Sequence, residues 1–140
     1  MKIVEQNAPA SLTGNTQPHR IAVVDDDASI REALMSLMRS ARFDVEAFAS
    51  AEEFLTSERL SDTACLILDV TLPGMSGFEL QNHLNSERCC IPIVFITAQA
   101  DEASRQRALK GGAIELLAKP VRRETLFKAI HSAIEQSPKT

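Results

Sequence analysis

The sequence predicts an α/β fold in which five parallel strands form one doubly wound sheet. Between residues 19 and 137, short aliphatic runs alternate five times with segments of helical periodicity. Such alternation favours a parallel sheet that helices cover on both faces, joined by right-handed crossovers. The strand order 2-1-3-4-5 is one of the common solutions. A chain of 140 residues with 44% apolar and 24% charged residues fits one domain.

We expect the domain to span residues 19–137. Residues 1–18 combine proline, glycine and small polar residues without periodicity, and such a segment cannot bury enough apolar surface to offset its ordering entropy. The sequence therefore predicts a disordered N-terminal lead at residues 1–18 and a short tail at residues 138–140.

Periodicity defines the first two strand and helix pairs. Residues 21–24 predict a strand, and the helix after it has one apolar face, made of Ile30, Ala33, Leu34, Leu37, Met38 and Ala41. Residues 44–49 alternate and predict a weaker strand at an edge of the sheet, with Phe48 on the same side as two acids. Ser50 and Glu53 have the spacing of a capping box that opens a short helix.

The second half repeats this unit. Residues 61–64 predict a loop into the central strand, and Ser76 with Glu79 forms a second capping box. Residues 91–96 and 114–118 predict the fourth and fifth strands. The last helix has an apolar stripe made of Leu126, Ile130, Ala133 and Ile134.

The fourth helix differs from the others. Asp101 can cap its start, and Gly111 and Gly112 supply a left-handed stop after Lys110. Between these ends the helix has small and charged residues and no strong apolar stripe. We therefore expect the sheet to hold this helix weakly, and weakly held elements are where movement costs least.

Charge and cysteine content exclude several classes of protein. The net charge of −4 gives no basic surface for direct nucleic-acid contact. Three cysteines, two of them adjacent, form neither a disulfide framework nor a spaced zinc site, which is typical of a reducing compartment. No apolar run approaches the roughly 20 residues of a membrane helix, and no signal peptide is present. We expect a cytoplasmic protein without membrane contact.

Four predicted strands end at chemically active side chains. These strand ends carry Asp25-Asp26-Asp27, Asp69, Thr97-Ala98 and Lys119-Pro120. The carboxyl ends of parallel strands share one edge, where open α/β sheets bind their ligands, so we expect these groups to converge. Each has an ordinary explanation when taken alone: turn chemistry for Asp69, a β-branched strand residue for Thr97 and a surface charge for Lys119. Their coincidence favours a functional site.

The expected cluster suits a metal ion and a phosphoryl group. Asp25, Asp26 and Asp69 together face the single ammonium of Lys119, which leaves about two uncompensated negative charges. Mg²⁺ binds one or two carboxylates, keeps waters and shares phosphate oxygens. Asp69 is the candidate nucleophile, because aspartates form aspartyl phosphates and the turn after it can bring the Thr71 carbonyl to the metal.

Three more groups can neutralise the phosphoryl oxygens. Thr97 would donate its hydroxyl, Ala98 its backbone N–H and Lys119 its ammonium. Phosphoryl transfer needs positioning and charge neutralisation more than covalent help from the protein.

These motifs occur in an order that resembles a known family. They are Val23-Val24-Asp25-Asp26-Asp27, Leu68-Asp69 with Pro73-Gly74 and Gly77, Thr97-Ala98 and Lys119-Pro120. Over roughly residues 19–137 the chain resembles the receiver domain of two-component response regulators, which has a flavodoxin-like fold. The resemblance implies that Asp69 is the phosphoacceptor and that Asp25, Asp26 and the Thr71 carbonyl hold Mg²⁺ with it. It also implies that Thr97 and Lys119 contact the phosphoryl group, and that the Lys119–Pro120 bond is cis.

The resemblance further implies a phosphoryl donor and a self-assisted reaction. The donor would be a histidine kinase or a phosphotransfer protein that docks near Ile30, Pro120 and Val121. The domain would assist its own phosphorylation and dephosphorylation and would not be a turnover enzyme.

The residues of the family's switch are partly replaced. In the family an aromatic residue three positions before the lysine turns inward with the threonine, but this position is Leu116, and Val121 replaces the usual phenylalanine. We therefore expect a smaller rearrangement of the fourth helix, or a different output face. Thr71 and Gln99 flank the site where the family tunes water attack, and we expect them to set the phosphate lifetime.

Two other functional classes remain as alternatives. A Mg²⁺-dependent aspartyl phosphatase of the dehalogenase type also uses a strand-terminal aspartate, but it needs an acid two residues later, where this chain has Thr71. A flavodoxin-like electron carrier needs hydroxyls and glycines in its first loop, where this chain has three aspartates. The chain also has no Trp or Tyr to stack on a flavin.

The output of the predicted switch has two interpretations. The chain ends soon after the last helix, which favours a stand-alone receiver acting through protein contacts. The competing interpretation is the excised receiver of a longer DNA-binding regulator with a helix-turn-helix output. Phosphorylation-dependent homodimerisation through the fourth and fifth helices is compatible with either interpretation.

Overall fold

The computed structural model describes residues 18–136, so the predictions for residues 1–17, for the end of the domain at residue 137 and for the tail at residues 138–140 lie outside the described part. Strands and helices alternate in the order β1 (Arg20–Val24), α1 (Ala28–Ser40), β2 (Asp44–Phe48), α2 (Ala51–Leu55), β3 (Thr63–Asp69), α3 (Gly77–Ser86), β4 (Ile93–Thr97), α4 (Glu102–Lys110), β5 (Glu115–Ala118) and α5 (Arg123–Gln136). A short 3₁₀ turn, Leu60–Asp62, precedes β3. All neighbouring strands pair in parallel, in the order β2-β1-β3-β4-β5. The predicted fold is confirmed.

Two apolar layers hold the helices on the sheet. One layer contains residues of α2, α3 and α4 together with Ala22, Leu66 and Phe95 of the sheet. The other contains residues of α1 and α5 together with Val23 and Ile67. Because neighbouring strand residues point to opposite faces, the fully buried strands β1, β3 and β4 are aliphatic on both sides. Burial on both faces fixes the strand register, and with it the positions of the strand ends.

Several predicted boundaries were wrong by one or two residues. Thr63 and Ala64 belong to β3 and not to a loop, since Thr63 pairs with Arg20 of β1. β4 begins at Ile93, after Pro92, which has no N–H for a strand ladder. β5 begins at Glu115, one residue later than predicted.

Phe48 alternates with Val45 and Ala47, as predicted, but its side chain is buried. β2 is the edge strand, as predicted, but Phe48 is 7% exposed and packs edge-on against Phe54 of α2, with ring centroids 5.5 Å apart. Val45 and Ala47, on the opposite side, pack against the layer of α1 and α5. Helices therefore cover both sides of this edge strand, so the simple alternation of residue types does not identify its buried face.

The predicted helix caps are present. Ser76 Oγ accepts a hydrogen bond from Glu79 N at 3.1 Å, and the Glu79 carboxylate accepts one from Ser76 N at 2.8 Å. Ser50 Oγ likewise accepts from Glu53 N, although the Glu53 carboxylate bonds to the amide of the preceding Ala49. No helix within residues 18–136 has both the length and the apolar character needed to cross a membrane.

Candidate functional site

Four strand ends meet at one edge of the sheet. Asp25 follows β1, Asp69 ends β3, Thr97 ends β4 and Lys119 follows β5. The Lys119 amide donates to the Thr97 carbonyl at 2.8 Å, which fixes the end of β5 beside the end of β4. The ends of these strands therefore lie side by side.

The carboxylates form a compact cluster with one ammonium group. Asp25, Asp26 and Asp69 each offer one carboxylate oxygen, and these oxygens lie within 4.8 Å of one another. Lys119 Nζ is 2.9 Å from Asp25 Oδ2 and 3.0 Å from Asp69 Oδ2. Asp25 and Asp69 are buried, whereas Asp26 is exposed at the mouth of the cluster. Three carboxylates thus share one cation, which favours a further positive charge.

The donor set of this cluster fits a hard divalent cation. Asp25 Oδ2 is buried and has no partner in hydrogen-bond geometry, although Lys119 lies at ion-pair distance. Lys119 neutralises this buried oxygen only in part, because the same ammonium also pairs with Asp69. Oxygen-only ligands at an exposed mouth are typical of Mg²⁺, which retains waters and shares oxygens with a phosphate.

Burial and charge act in opposite directions on the central pair. Burial raises the pKa of Asp69, aided by the nearby charge of Asp25, while the Lys119 ammonium and the Thr71 amide act to lower it. Burial alone would lower the pKa of Lys119, but Asp25 and Asp69 outweigh it and raise this pKa. Lys119 is therefore a permanent cation beside the Asp69 carboxylate.

Backbone amides orient the two buried carboxylates. Asp25 Oδ1 accepts from Asp27 N at 2.9 Å, and Asp69 Oδ1 accepts from Thr71 N at 3.1 Å. The loop after Asp69 then returns to start α3, where Gly77 N donates to Val70 O at 3.0 Å. A Cβ at Gly77 would lie 2.4 Å from the Asp69 carbonyl oxygen. Only glycine, which has no Cβ, therefore fits at this distance from the Asp69 backbone.

The predicted phosphoryl partner Thr97 is buried at the base of the site. It is 2% exposed, and its Oγ1 accepts a hydrogen bond from Gln99 N at 3.1 Å. Since Oγ1 acts as an acceptor there, its hydroxyl hydrogen remains available for donation. Ala98 and Gln99 are exposed in the loop that leads to α4.

The predicted switch and docking residues fall in two places. Leu116 is buried beneath the site, beside Phe95 on the neighbouring strand. Ile30, Pro120 and Val121 lie together and line one cavity of about 410 Å³ next to Lys119. The Lys119–Pro120 peptide bond is cis, as the resemblance implied.

Two contacts of the site were missed in the sequence analysis. Arg31 of α1 donates from Nη1 to the Asp25 carbonyl at 2.9 Å, and Glu52 of α2 accepts from Met75 N at 2.9 Å in the loop after Asp69. That hydrogen bond is the main cause of the lowered pKa of Glu52. Each contact joins a side chain of a helix to a backbone group of a loop, six residues away for Arg31 and 23 residues away for Glu52, and neither spacing is a known sequence motif.

A comparison with protein families decides the identity of this fold and site. The family profile of the response regulator receiver domain matches residues 21–131. The chain belongs to the response regulator receiver family. Members of this signalling family are phosphorylated by histidine kinases and generally bind Mg²⁺ in an acidic pocket. This receiver domain has a cluster of acidic residues, Asp25, Asp26 and Asp69.

Curated relatives are longer proteins. The receiver domain is 44% identical over 119 residues to Nodulation protein W of Bradyrhizobium diazoefficiens, covering 85% of this chain and 52% of the relative. It is 42% identical over 118 residues to the Response regulator protein TodT of Pseudomonas putida, covering 84% and 52%. The chain thus spans about half the length of these relatives.

Solved structures of receiver domains have the same fold. The receiver domain superimposes on the response regulator StyR with a TM-score of 0.79 at 46% identity, covering 86% of this chain and 61% of that one. FixJ-N superimposes with a TM-score of 0.80 at 28% identity, covering 89% of this chain and 100% of that one.

Proposed function

We propose that this receiver domain takes a phosphoryl group from a histidine kinase or a phosphotransfer protein onto Asp69, with Mg²⁺ as cofactor. The observation that carries the proposal is the position of Asp69, which is buried at the end of the central strand between a carboxylate pair and Lys119. We also propose that residues 19–137 form the receiver domain.

The reaction at Asp69 is an in-line displacement. A carboxylate oxygen of Asp69 attacks the phosphorus of a phosphohistidine, the new P–O bond forms, and the P–N bond breaks with its electron pair returning to the imidazole. Lys119, whose ammonium lies 3.0 Å from Oδ2, favours the ionised form of Asp69 and so opposes the effect of burial on its pKa. The product is an aspartyl phosphate on this chain and a free histidine on the donor.

Magnesium would be held by Asp25, Asp26, Asp69 and the backbone carbonyl of Thr71. Bound Mg²⁺ supplies positive charge that neutralises the phosphoryl oxygens. Support for this set comes from the cluster of three carboxylate oxygens and from the sharing of one ammonium, Lys119, by Asp25 and Asp69.

Lys119, Thr97 and Ala98 would receive the phosphoryl oxygens. Lys119 exchanges part of its contact with Asp69 for a phosphoryl oxygen, while Thr97 donates its hydroxyl hydrogen and Ala98 its N–H. The Thr97 contact pulls the loop through Gln99 toward the site, because Gln99 N is bonded to Thr97 Oγ1. We expect Gln99 and Thr71 to set the lifetime of the aspartyl phosphate, and Leu116 to permit a smaller switch than an aromatic residue would.

The donor would dock over the cavity lined by Ile30, Pro120 and Val121. This cavity opens directly beside Lys119, so a partner seated there can present a phosphohistidine to Asp69. Turnover as an aspartyl phosphatase is disfavoured, because the position of its second acid is occupied by Thr71, whose amide bonds to Asp69.

For the output we propose a transcription-regulator role, since a FixJ relative of Bradyrhizobium diazoefficiens is a transcriptional regulatory protein at 35% identity over 122 residues. The receiver would act as part of a longer DNA-binding chain or on a separate partner. A phosphorylation-dependent homodimer would double the mass measured by sizing with light scattering after phosphodonor is added. The proposed setting is the cytoplasm.

The phosphoacceptor proposal is tested by intact mass after incubation with acetyl phosphate. We expect one phosphoryl adduct in the presence of Mg²⁺ and about 100-fold slower formation with EDTA, because phosphoryl transfer depends on metal neutralisation. Asp62→Asn, which removes an exposed carboxylate, serves as the control and should behave like the original protein. A folded protein that gains no adduct with Mg²⁺ would contradict the proposal.

A further inference from the structure

Helix α4 has little apolar hold on the rest of the domain. Within this nine-residue helix Ala108 is the one buried residue, and Leu109 is 37% exposed. A short helix with one buried alanine gains little from burial and is marginal in isolation. Polar contacts must therefore decide how α4 is attached.

Two side-chain amides of α3 bind the C-terminal end of α4. Gln81 Nε2 donates to the Ala108 carbonyl at 3.0 Å, and Asn85 Nδ2 donates to the Gly111 carbonyl at 2.9 Å. Gln81 and Asn85 are four residues apart, so they lie on the same face of α3. The Ala108 carbonyl also accepts from Ala113 N at 3.0 Å, so Gln81 adds a second hydrogen bond to it.

This attachment is closely fitted. Gln81 is 2% exposed, and burying an amide is costly unless it is hydrogen-bonded. A Cβ on Gly111 would lie 2.5 Å from the Gln81 amide, so the absence of a side chain at Gly111 lets α3 and α4 meet at this point.

The N-terminal end of α4 is attached differently. Ser104 N donates to Asp101 Oδ1, and Gln106 Nε2 donates to the Glu102 carboxylate. Both hydrogen bonds lie within α4 and its cap, so they do not attach the helix to the rest of the domain. Arg105 pairs with Glu115 of β5 through two nitrogen–oxygen contacts, at 2.8 and 3.2 Å, but this arginine side chain is 43% exposed, so the contact is open to solvent, unlike the buried Gln81 amide.

From this asymmetry we propose that Gln81 and Asn85 form a hinge for α4. The C-terminal end of the helix stays fixed on α3, while the N-terminal end follows the Thr97 loop when the site is phosphorylated. This inference rests on the proposed function. It gives the receiver domain a way to move α4 without the family's aromatic residue, since Leu116 occupies that position.

Single-amide hydrogen exchange by NMR, with and without beryllium fluoride as a phosphoryl analogue, tests the hinge. Arg105 N, bonded to Asp101 O, reports on the start of α4, and Ala113 N, bonded to Ala108 O, reports on its end. In the original protein we expect the analogue to change exchange at Arg105 by about tenfold and at Ala113 by less than about twofold. In Asn85→Ala and Gln81→Leu the change should spread to Ala113 and reach about fivefold.

The matched control is Asn82→Ala, which removes the same side chain from an exposed position of the same helix. In the control the analogue should change exchange at Arg105 and not at Ala113, as in the original protein. If Asn85 only stabilised the fold, Asn85→Ala would speed exchange in the free protein, but the analogue would still leave exchange at Ala113 unchanged. That result, or equal changes at both ends of α4 in the original protein, would overturn the hinge.

Binding of the analogue is read separately from its ¹⁹F signals. A protein that does not bind beryllium fluoride would contradict the proposed function and not the hinge. In that case the hinge still predicts that Asn85→Ala speeds exchange at Ala113 by about tenfold in the free protein and leaves Arg105 within about twofold. Equal acceleration at the two amides would contradict it.

Discussion

Replacing Asp25 by Asn is expected to weaken Mg²⁺ binding on the order of 100-fold. Mutating a residue that only orients a metal ligand lowers metal affinity by about 10–100-fold, and losing a direct ligand should lower it at least as much. Asp25 is fully buried, and its Oδ2 lies 2.9 Å from Lys119 Nζ, which it shares with Asp69. The substitution removes one of three clustered carboxylate charges while keeping the shape of the side chain. Isothermal titration calorimetry is the suitable measurement, since the chain has no Trp or Tyr to report binding by fluorescence.

Asp62→Asn is the charge-matched control, because Asp62 is exposed and pairs only with the exposed Arg59 in a surface contact at 3.6 Å. This control should change Mg²⁺ affinity by less than about twofold, since surface charges are screened by solvent and salt. A similar Mg²⁺ affinity in Asp25→Asn and in the control would show that the buried carboxylate is not a ligand.

Replacing Gly77 by Ala should destabilise the fold by about 3 kcal/mol, the upper part of the usual range for overpacking. The new Cβ would lie 2.4 Å from the Asp69 carbonyl oxygen and 2.9 Å from Val70 Cα. Both atoms belong to the backbone, so they can move only if the end of β3 moves with them. Urea unfolding followed by far-UV circular dichroism measures this loss, and phosphorylation should slow because Asp69 shifts.

Gly112→Ala separates steric overlap from backbone conformation. No atom lies within 4 Å of a Cβ added at Gly112, but its φ of +99° is unfavourable for a residue with a side chain. The expected cost is about 1–2 kcal/mol, with no effect on phosphorylation. If Gly77→Ala lowered the free energy of unfolding no more than Gly112→Ala and left the rate of phosphorylation unchanged, the close contact between Gly77 and Asp69 would not be needed for function.

The sequence predicts the site well because its main residues directly follow or end strands. An aliphatic run that stops at Asp69 or Thr97 identifies a strand end, and parallel pairing then brings neighbouring ends to one edge. The local caps at Ser76 and Asp101 are equally predictable, because both partners of each hydrogen bond lie within a few residues.

Contacts between distant segments were not predictable in this way. Arg31, Glu52, Gln81 and Asn85 each bond to a backbone group whose position depends on how the helices pack. The burial of Phe48 could not be predicted from β2 alone for a related reason, since both faces of this strand are covered and Phe48 packs against α2. Residue type and spacing describe one element, whereas these features arise between elements.

Chemical mapping of the phosphoryl adduct would show which carboxylate carries it. Borohydride reduces an aspartyl phosphate to homoserine, and peptide mass spectrometry then locates the changed residue. After incubation with acetyl phosphate and Mg²⁺, we expect homoserine at position 69 alone, and none in Asp69→Asn. Homoserine at Asp25 or Asp26, or an unchanged yield in Asp69→Asn, would contradict the assignment of Asp69 as the phosphoacceptor.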